Sequence, residues 1–295
     1  MKAFVLAEHS EAAANLCAGA RTFADEVVFF AIAALEIPDG IADTVVRIAL
    51  PDGALFDDAA DTVISVFDAE HPEMVFVEPT RRLKNIAGKL AAHAGTSTIT
   101  DVIAFNDEGA TNMYFGGIAH KTQKASGTSV YTVAADVFTG ATPSGSNAVT
   151  DAAWIAPAHP LTLLASSPIE KSGVDLFKAE AVVAAGRGFA EKEDLAMART
   201  LCDAIGAGLG CSRPLTEGVD WLPSEVYIGV SGLMLSPKVY VGIGISGQMQ
   251  HMVGCNRATT LFAINKDKNA PIFKQCDYGL VGDIDTVLPA LTAAL

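Results

Sequence analysis

The segment Gly242-Ile243-Gly244-Ile245-Ser246-Gly247-Gln248-Met249-Gln250-His251 concentrates residue types that let a backbone approach a ligand closely. It follows the strand-like run Val239-Tyr240-Val241 and leads through small residues into a Gln-rich helix start and one histidine. An apolar strand entering a small-residue turn and a helix N-terminus is one way α/β domains hold pyrophosphate. Free N–H groups and the helix dipole both favour negative charge there. The spacing is not the GxGxxG of a nicotinamide-dinucleotide unit. The local chemistry therefore reads as a nucleotide cofactor of open type, against a tight strand-to-helix turn that binds nothing.

Other polar residues stand at similar positions. Arg187 follows an apolar run at 181–185, Ser212 and Arg213 follow one at 208–211, Ser231 follows 226–229, and Asn265-Lys266-Asp267 follow 260–264. The C-terminal ends of strands form the rim where open α/β sheets bind ligands, so these convergent rims predict one cofactor crevice. His9, His71, His93, His120 and His159 lack metal-ligand spacing. The cysteines, Cys17, Cys202, Cys211, Cys255 and Cys276, are odd in number and never spaced C-x-x-C, which argues against a disulfide framework and against zinc. Neither Cys211 nor Cys255 has a nameable basic partner that would make it a nucleophile.

The elements that must position these residues alternate β-rich and helical runs, which predicts an α/β fold on mainly parallel sheet. A first strand is expected at 1–7, stopped by Glu8-His9 and too short for a signal sequence. Further strands are expected at 27–32 and 74–77. A helix is expected over 81–93, with Leu83, Ile86, Ala87 and Leu90 on one face, Thr80 as N-cap and Gly95 as its end. The segments 110–119 and 128–137 read as hairpin-type strands. From 138 to 175 loop chemistry dominates, with Thr142-Pro143-Ser144-Gly145-Ser146-Asn147 and the punctuating Pro157, Pro160 and Pro168. A junction at 166–175 divides the chain into domains over 1–170 and 171–295. In the second domain strands are expected at 181–185, 226–229, 239–245 and 260–264, and helices at 191–205 and 285–294. Gly206 and Gly208 should close the first of these helices.

The 295 residues, half of them hydrophobic and 18% charged, suffice for two ordinary cores. A net charge of −14 repels phosphate backbones, which argues against nucleic acid and leaves a basic protein surface as the better partner. No uninterrupted apolar stretch reaches membrane-spanning length. The expectation is a soluble, cytoplasmic protein with no direct membrane insertion.

Five motifs, taken in order, carry a family resemblance. They are Gly186-Arg187-Gly188, Ser212-Arg213-Pro214, the run from Ser246 to His251, Ala263-Ile264-Asn265-Lys266-Asp267-Lys268-Asn269-Ala270-Pro271-Ile272-Phe273, and Asp277-Tyr278-Gly279-Leu280-Val281-Gly282-Asp283. From about 174 to 295 the chain resembles the FAD domain of the alpha subunit of electron transfer flavoprotein. Glu78-Pro79-Thr80-Arg81-Arg82 extends the likeness weakly into the first half, and the second half is most similar to the Fix-type branch linked to carnitine reduction.

The resemblance implies a nucleotide-hydrolase-like N-terminal α/β domain over 1–170, meeting a beta subunit, and a parallel-sheet FAD-binding domain over 171–295. Arg187 and the glycine turns would then meet the cofactor phosphates, while Ser212 and Arg213 lie against the isoalloxazine. Ile228, Gly229, Val230 and Ser231 would pass beside the ring, with the Ser231 hydroxyl at N5. Ser246, Gly247, Gln248, Met249, Gln250 and His251 would line the ribityl–pyrophosphate and pyrimidine side, with His251 at the C2 carbonyl. Asn265, Asp283 and Ile284 would meet the adenosine end. Val230 stands where many relatives carry Gln, and Ser231 where Thr is common.

A guanidinium suits the place given to Arg213, because it stacks flat, stays charged and favours the negative charge that reduction adds to the ring. The implied function is electron carriage without substrate chemistry, between an acyl-CoA dehydrogenase-like protein or reductase and another redox protein, in fatty acid or carnitine metabolism. The alternatives are a bifurcating complex, with NADH oxidised at the beta subunit, and a nucleotide-binding module without flavin.

Overall fold

The computed structural model describes residues 1–115, 119–167 and 174–295. The described residues divide into two compact units, one holding Met1–Tyr114 and Ala119–Ser167, the other holding Phe115 and residues 174–295. The expected boundary between 170 and 171, and Pro168 with it, lies outside the described residues.

The first unit contains β1 (Lys2–Leu6), α1 (Ser10–Arg21), β2 (Glu26–Ile32), β3 (Thr44–Ile48), α2 (Ala60–Glu70), β4 (Met74–Val77) and α3 (Arg81–His93). These are followed by β5 (Thr98–Asn106), β6 (Gly109–Tyr114), β7 (Ala119–Gln123), β8 (Ser129–Val133) and β9 (Ala148–Asp151). The strands form one sheet in the order β7-β6-β5-β8-β4-β1-β2-β3-β9. Because strand side chains alternate between faces, Ala3, Val5, Val27 and Phe29 join Leu16 and Cys17 of α1 in one core. Phe4, Leu6, Val28 and Phe30 join Phe67 of α2 and Leu83 of α3 in the other. Covering both faces makes these strands continuous apolar runs. Phe4 and Phe30 meet edge to face with centroids 4.9 Å apart; a fully buried side chain of this kind contributes about 1.5–3 kcal/mol.

Helix α3 occupies the expected span, capped by Thr80, whose Oγ1 accepts from Leu83 N at 3.2 Å. The segment 128–137 is corrected: β8 is no hairpin strand but runs parallel between β4 and β5, with Val130 and Val133 fully buried. Residues 116–118 of the other expected hairpin lie outside the described residues, while β6 is antiparallel to both β5 and β7. The segment from 138 on is also corrected, since it contains β9, which pairs in parallel with β3. All four residues of β9 are exposed, so no apolar alternation marks it in sequence; an Arg47–Asp151 pair (Nε to Oδ1, 2.9 Å) fastens it instead.

The second unit contains β10 (Ala181–Ala185), α4 (Leu195–Ile205), β11 (Gly208–Cys211), β12 (Val239–Ile243), α5 (Met249–Met252), β13 (Thr260–Asn265), β14 (Tyr278–Val281) and α6 (Ile284–Ala294). Its strands are all parallel, in the order β11-β10-β12-β13-β14. Helices α4 and α6 cover one face with Leu195, Leu201 and Leu288, against Val183, Val241 and Ile243. The opposite core gathers Val182, Ile228, Tyr240, Met252 and Ile272. The chain leaves β10 for β11 on one side and later returns to β12 on the other. The carboxyl ends of β10 and β12 thus flank the topological switch point, where open sheets of this kind bind ligands.

Four expectations change here. Gly206, at φ +65, closes α4 by itself, and Gly208 opens β11. The segment 226–229 is a loop, not a strand: Leu233 N donates to Tyr227 O at 2.7 Å and Gly229 N to Leu233 O at 3.0 Å, closing the backbone on itself. The strand expected to reach 245 ends at Ile243, because Gly244 turns the chain at φ +64. The helix expected from 191 starts as a 3₁₀ turn, Lys192–Asp194, and becomes α-helical at Leu195.

Candidate functional site

A crevice of about 700 Å³ opens at the carboxyl ends of β10, β11, β12 and β13, within the size range of small-molecule sites. Arg187, Ser212, Arg213, Val230, Ser246, Gln248, Gln250, His251 and Asn265, all expected site residues, line it.

Backbone proximity builds its floor. Gly188 N donates to Gly244 O at 3.0 Å. A Cβ on Gly188 would lie 2.5 Å from Gly244 Cα, and one on Gly244 would lie 2.7 Å from Gly188 Cα. No side chain fits between the turns after β10 and β12, so the glycines let those turns touch. Asn265 ties the next rim to this one, with Nδ2 donating to Ile245 O and Oδ1 accepting from Asp267 N, both at 2.9 Å. The expected helix N-terminus is smaller than the sequence suggests. Helix α5 is one turn, Met249–Met252, and a single turn sums too few peptide dipoles to carry an anion site.

Three polar groups on the crevice have distinct states. His251 is 8% exposed, and burial lowers its pKa from the ordinary 6.5 to about 4, so the imidazole is neutral at pH 7. Its Nε2 lies 2.6 Å from the Tyr240 hydroxyl, and its Nδ1 is buried without a hydrogen-bond partner among the described residues. Arg213 is exposed, and its Nε donates to Glu217 Oε2 at 2.7 Å. The Glu217 carboxylate raises the Arg213 pKa further. Arg187 is also exposed and makes no hydrogen bond or ion pair among the described residues.

The remaining expected residues do not line the crevice. Ile228 is fully buried in the core, and Gly229 sits at φ +136. Ser231 is exposed at φ +70, a conformation costing a non-glycine residue about 1–3 kcal/mol. Gly247 closes against the Ile272 backbone, its carbonyl accepting from Gln275 Nε2 at 2.9 Å. Met249 begins α5. Asp283 caps α6, accepting from Asp285 N at 3.1 Å, and Ile284 is buried against Gly188 and Gly244. The lining also includes Tyr227, Asp267, Ala270 and Pro271. Asp267, Ala270 and Pro271 were legible as part of the 263–273 block, whereas Tyr227 falls inside the strand expected at 226–229 and was not itself expected at the site.

The first unit treats its own strand ends differently. There Glu78 Oε2 accepts from the backbone N–H groups of Glu8 and His9 at 2.7 and 3.2 Å. A carboxylate of the chain itself thus occupies the amides ahead of α1. Among the described residues no group of three or more His, Cys, Asp or Glu could hold a metal ion, and no helix is long and apolar enough to cross a membrane.

Comparison with known proteins agrees with the geometry. The electron transfer flavoprotein domain matches residues 3–159, and the electron transfer flavoprotein FAD-binding domain matches residues 175–256. The chain is 43% identical over 253 residues to "Protein FixB" of Escherichia coli O7:K1 (strain IAI39), covering 83% of this chain and 81% of that protein. The same identity and coverage hold for "Protein FixB" of Shigella dysenteriae serotype 1 (strain Sd197) and of E. coli K12 (strain DH10B).

The residues present fit FAD. The His251 ring lines the crevice, the Gly188–Gly244 apposition leaves backbone open to a ligand, and two exposed arginines, Arg187 and Arg213, stand on the rim where an anionic group would meet them. FAD is the cofactor of this domain. With both of its domains matched and a FixB likeness spanning most of its length, this chain belongs to the electron transfer flavoprotein family as an alpha-type subunit.

Proposed function

We propose that the chain is the FAD-holding subunit of a heterodimeric electron carrier that works between an acyl-CoA-type dehydrogenase or reductase and another redox protein. In this reading residues 1–170 meet the beta subunit and 171–295 hold the cofactor. The observation that carries it is the single crevice at the switch point, which gathers a guanidinium, an imidazole and a glycine-only backbone approach. When bound, FAD supplies the ring that accepts and releases electrons. Arg213 and Ser212 would lie against that ring, with His251 on its pyrimidine side. Arg187, Ser246, Gln248 and Gln250 would hold the phosphates and ribityl chain, and Asn265 the adenosine end. Ile228, Gly229 and Ser231 would act from behind Val230 by shaping the loop that carries it. Gly247 and Met249 would shape the turn after β12, and Asp283 and Ile284 would support the floor.

None of these side chains needs to make or break a bond in a substrate, which suits a carrier rather than an enzyme. The likeness to FixB supports the Fix-type branch, and work with a partner in carnitine or fatty acid metabolism is part of this proposal. The test is coexpression with a beta subunit followed by a count of FAD per heterodimer. One FAD, reducible by a cognate dehydrogenase, is expected. A second FAD would move the assignment to a bifurcating complex, and a colourless heterodimer would overturn it.

A further inference from the structure

Tyr227 lines the crevice yet is only 7% exposed, because the chain folds back over its ring. Leu233 N donates to Tyr227 O at 2.7 Å, and Gly232 N donates to Gly229 O at 2.9 Å. A Cβ on Gly232 would lie 2.5 Å from both Tyr227 Cδ1 and Tyr227 O, and one on Gly229 would lie 3.2 Å from Tyr227 Oη. Glycine lets the backbone come this near the ring. The Tyr227 hydroxyl donates to the Val230 carbonyl and closes the loop from inside. Burial raises the phenol above its ordinary pKa of 10, so the donor keeps its hydrogen at neutral pH. Ser231, the next residue, holds φ +70, a conformation that a side chain avoids unless its surroundings impose it. Backbone bonds supply part of that support: Ile228 N donates to Cys211 O at 2.9 Å, Val230 N to Gln250 O at 2.7 Å and Leu235 N to Gly254 O at 2.8 Å. Any side chain would allow these. The bond from Tyr227 depends on residue type, and it grips the residue beside Ser231.

We propose that Tyr227 is a positioning residue whose hydroxyl latches the loop 229–232 in this kink and so holds Val230 as a fixed wall against the crevice ligand. The wall's role rests on the reading of the crevice as an FAD site; the latch does not. With its N–H given to Gln250 and its carbonyl to Tyr227, Val230 offers the ligand chiefly an apolar surface. Such a surface acts through shape, so it serves the ligand only while the loop stands still.

Hydrogen exchange in the heterodimer with its beta subunit, stripped of FAD, tests the latch in peptides that span 227–235. Tyr227→Phe keeps the ring and removes only the hydroxyl. Exchange there should rise about tenfold, the shift expected from one lost hydrogen bond, while helix α4 keeps its protection. Reloading with FAD tests the wall. The same variant should release FAD about tenfold faster and shift the flavin absorption bands. Ser231→Gly is the control, because glycine holds φ +70 without support. In that background Tyr227→Phe should change exchange and release by less than about twofold, since the two positions are coupled. A merely structural role would loosen α4 as well and would not be rescued by the glycine. Unchanged exchange in Tyr227→Phe, or an effect just as large in the Ser231→Gly background, would overturn the latch. Faster exchange with unaltered FAD release and absorption would overturn the positioning role. If the unsubstituted heterodimer binds no FAD, the functional reading fails, and the exchange measurement still decides the latch.

Discussion

Glu217 grips Arg213 across one turn of chain at the lip of the crevice, with Nε to Oε2 at 2.7 Å and both side chains 58% exposed. The cation expected to act alone on the ring is therefore one half of a dipole. Its counter-charge lies four residues along the chain and binds at Nε, while the Nη groups of the guanidinium make no hydrogen bond among the described residues.

That pairing makes two substitutions oppose each other. Arg213→Ala should lower the flavin potential by tens of millivolts, because a positive charge near the reduced ring is lost. Glu217→Gln should raise it, because the charge that offsets Arg213 is removed, and both proteins should keep FAD. Potentiometric titration of the two variants checks this; shifts of the same sign would show that the pair acts only through local structure.

The contact between the turns after β10 and β12 predicts an intolerant glycine. Gly188 lacks a positive φ, so its replacement is limited by space: a Cβ would stand 2.5 Å from Gly244 Cα and 3.2 Å from both Gly244 O and Ile284 Cδ1. Gly188→Ala must push two backbones apart, at about 1–3 kcal/mol, and should weaken FAD retention at least tenfold. Thermal melting together with FAD dissociation measures both effects.

Acid should weaken the second unit through His251. Burial holds its pKa down from the ordinary 6.5 to about 4, so between these values the unfolded chain binds a proton that the folded chain does not. The stabilisation is complete above the unfolded value and is lost as pH falls toward the folded one, by up to about 3 kcal/mol. His251→Gln removes this titration. Denaturation followed from neutral to mildly acidic pH should show a flatter dependence in the variant than in the unsubstituted protein.

The thiols should be largely silent. Cys17, Cys202, Cys211 and Cys255 are buried, and burial raises each of their pKa values, that of Cys202 to about 11 and that of Cys211 to about 12. Only Cys276 is partly exposed. Labelling of the native protein with a thiol-specific disulfide reagent should modify Cys276 first and the others only on unfolding. Rapid modification of Cys211 or Cys255 would revive a nucleophilic role for them.

Much of the fold was open to sequence reasoning because its signals are local. Arg81–His93 declares itself through Leu83, Ile86, Ala87 and Leu90 on one face and the Thr80 cap, all set by neighbours within a few residues. Gly206, Gly244 and the 263–273 block likewise carry their turn chemistry in their own residue types. β9 and β14 do not, since every residue in both is exposed and their strand character comes only from pairing with β3 and β13. The same limit hid the parallel placement of β8 and the loop character of 226–229, because a strand's partner is absent from its own alternation.

By itself the amino-acid order determined the α/β class, the cofactor family and most of the side chains on the crevice, since each depends on residue type and short spacing. Only the tertiary structure decided what those side chains are free to do. Glu217 claims Arg213 at Nε, Tyr240 claims His251 at Nε2, and Asp283 is spent on a helix cap. The approach of Gly188 to Gly244 joins segments that meet only once β10 and β12 are in register. Burial then sets the charge of the imidazole.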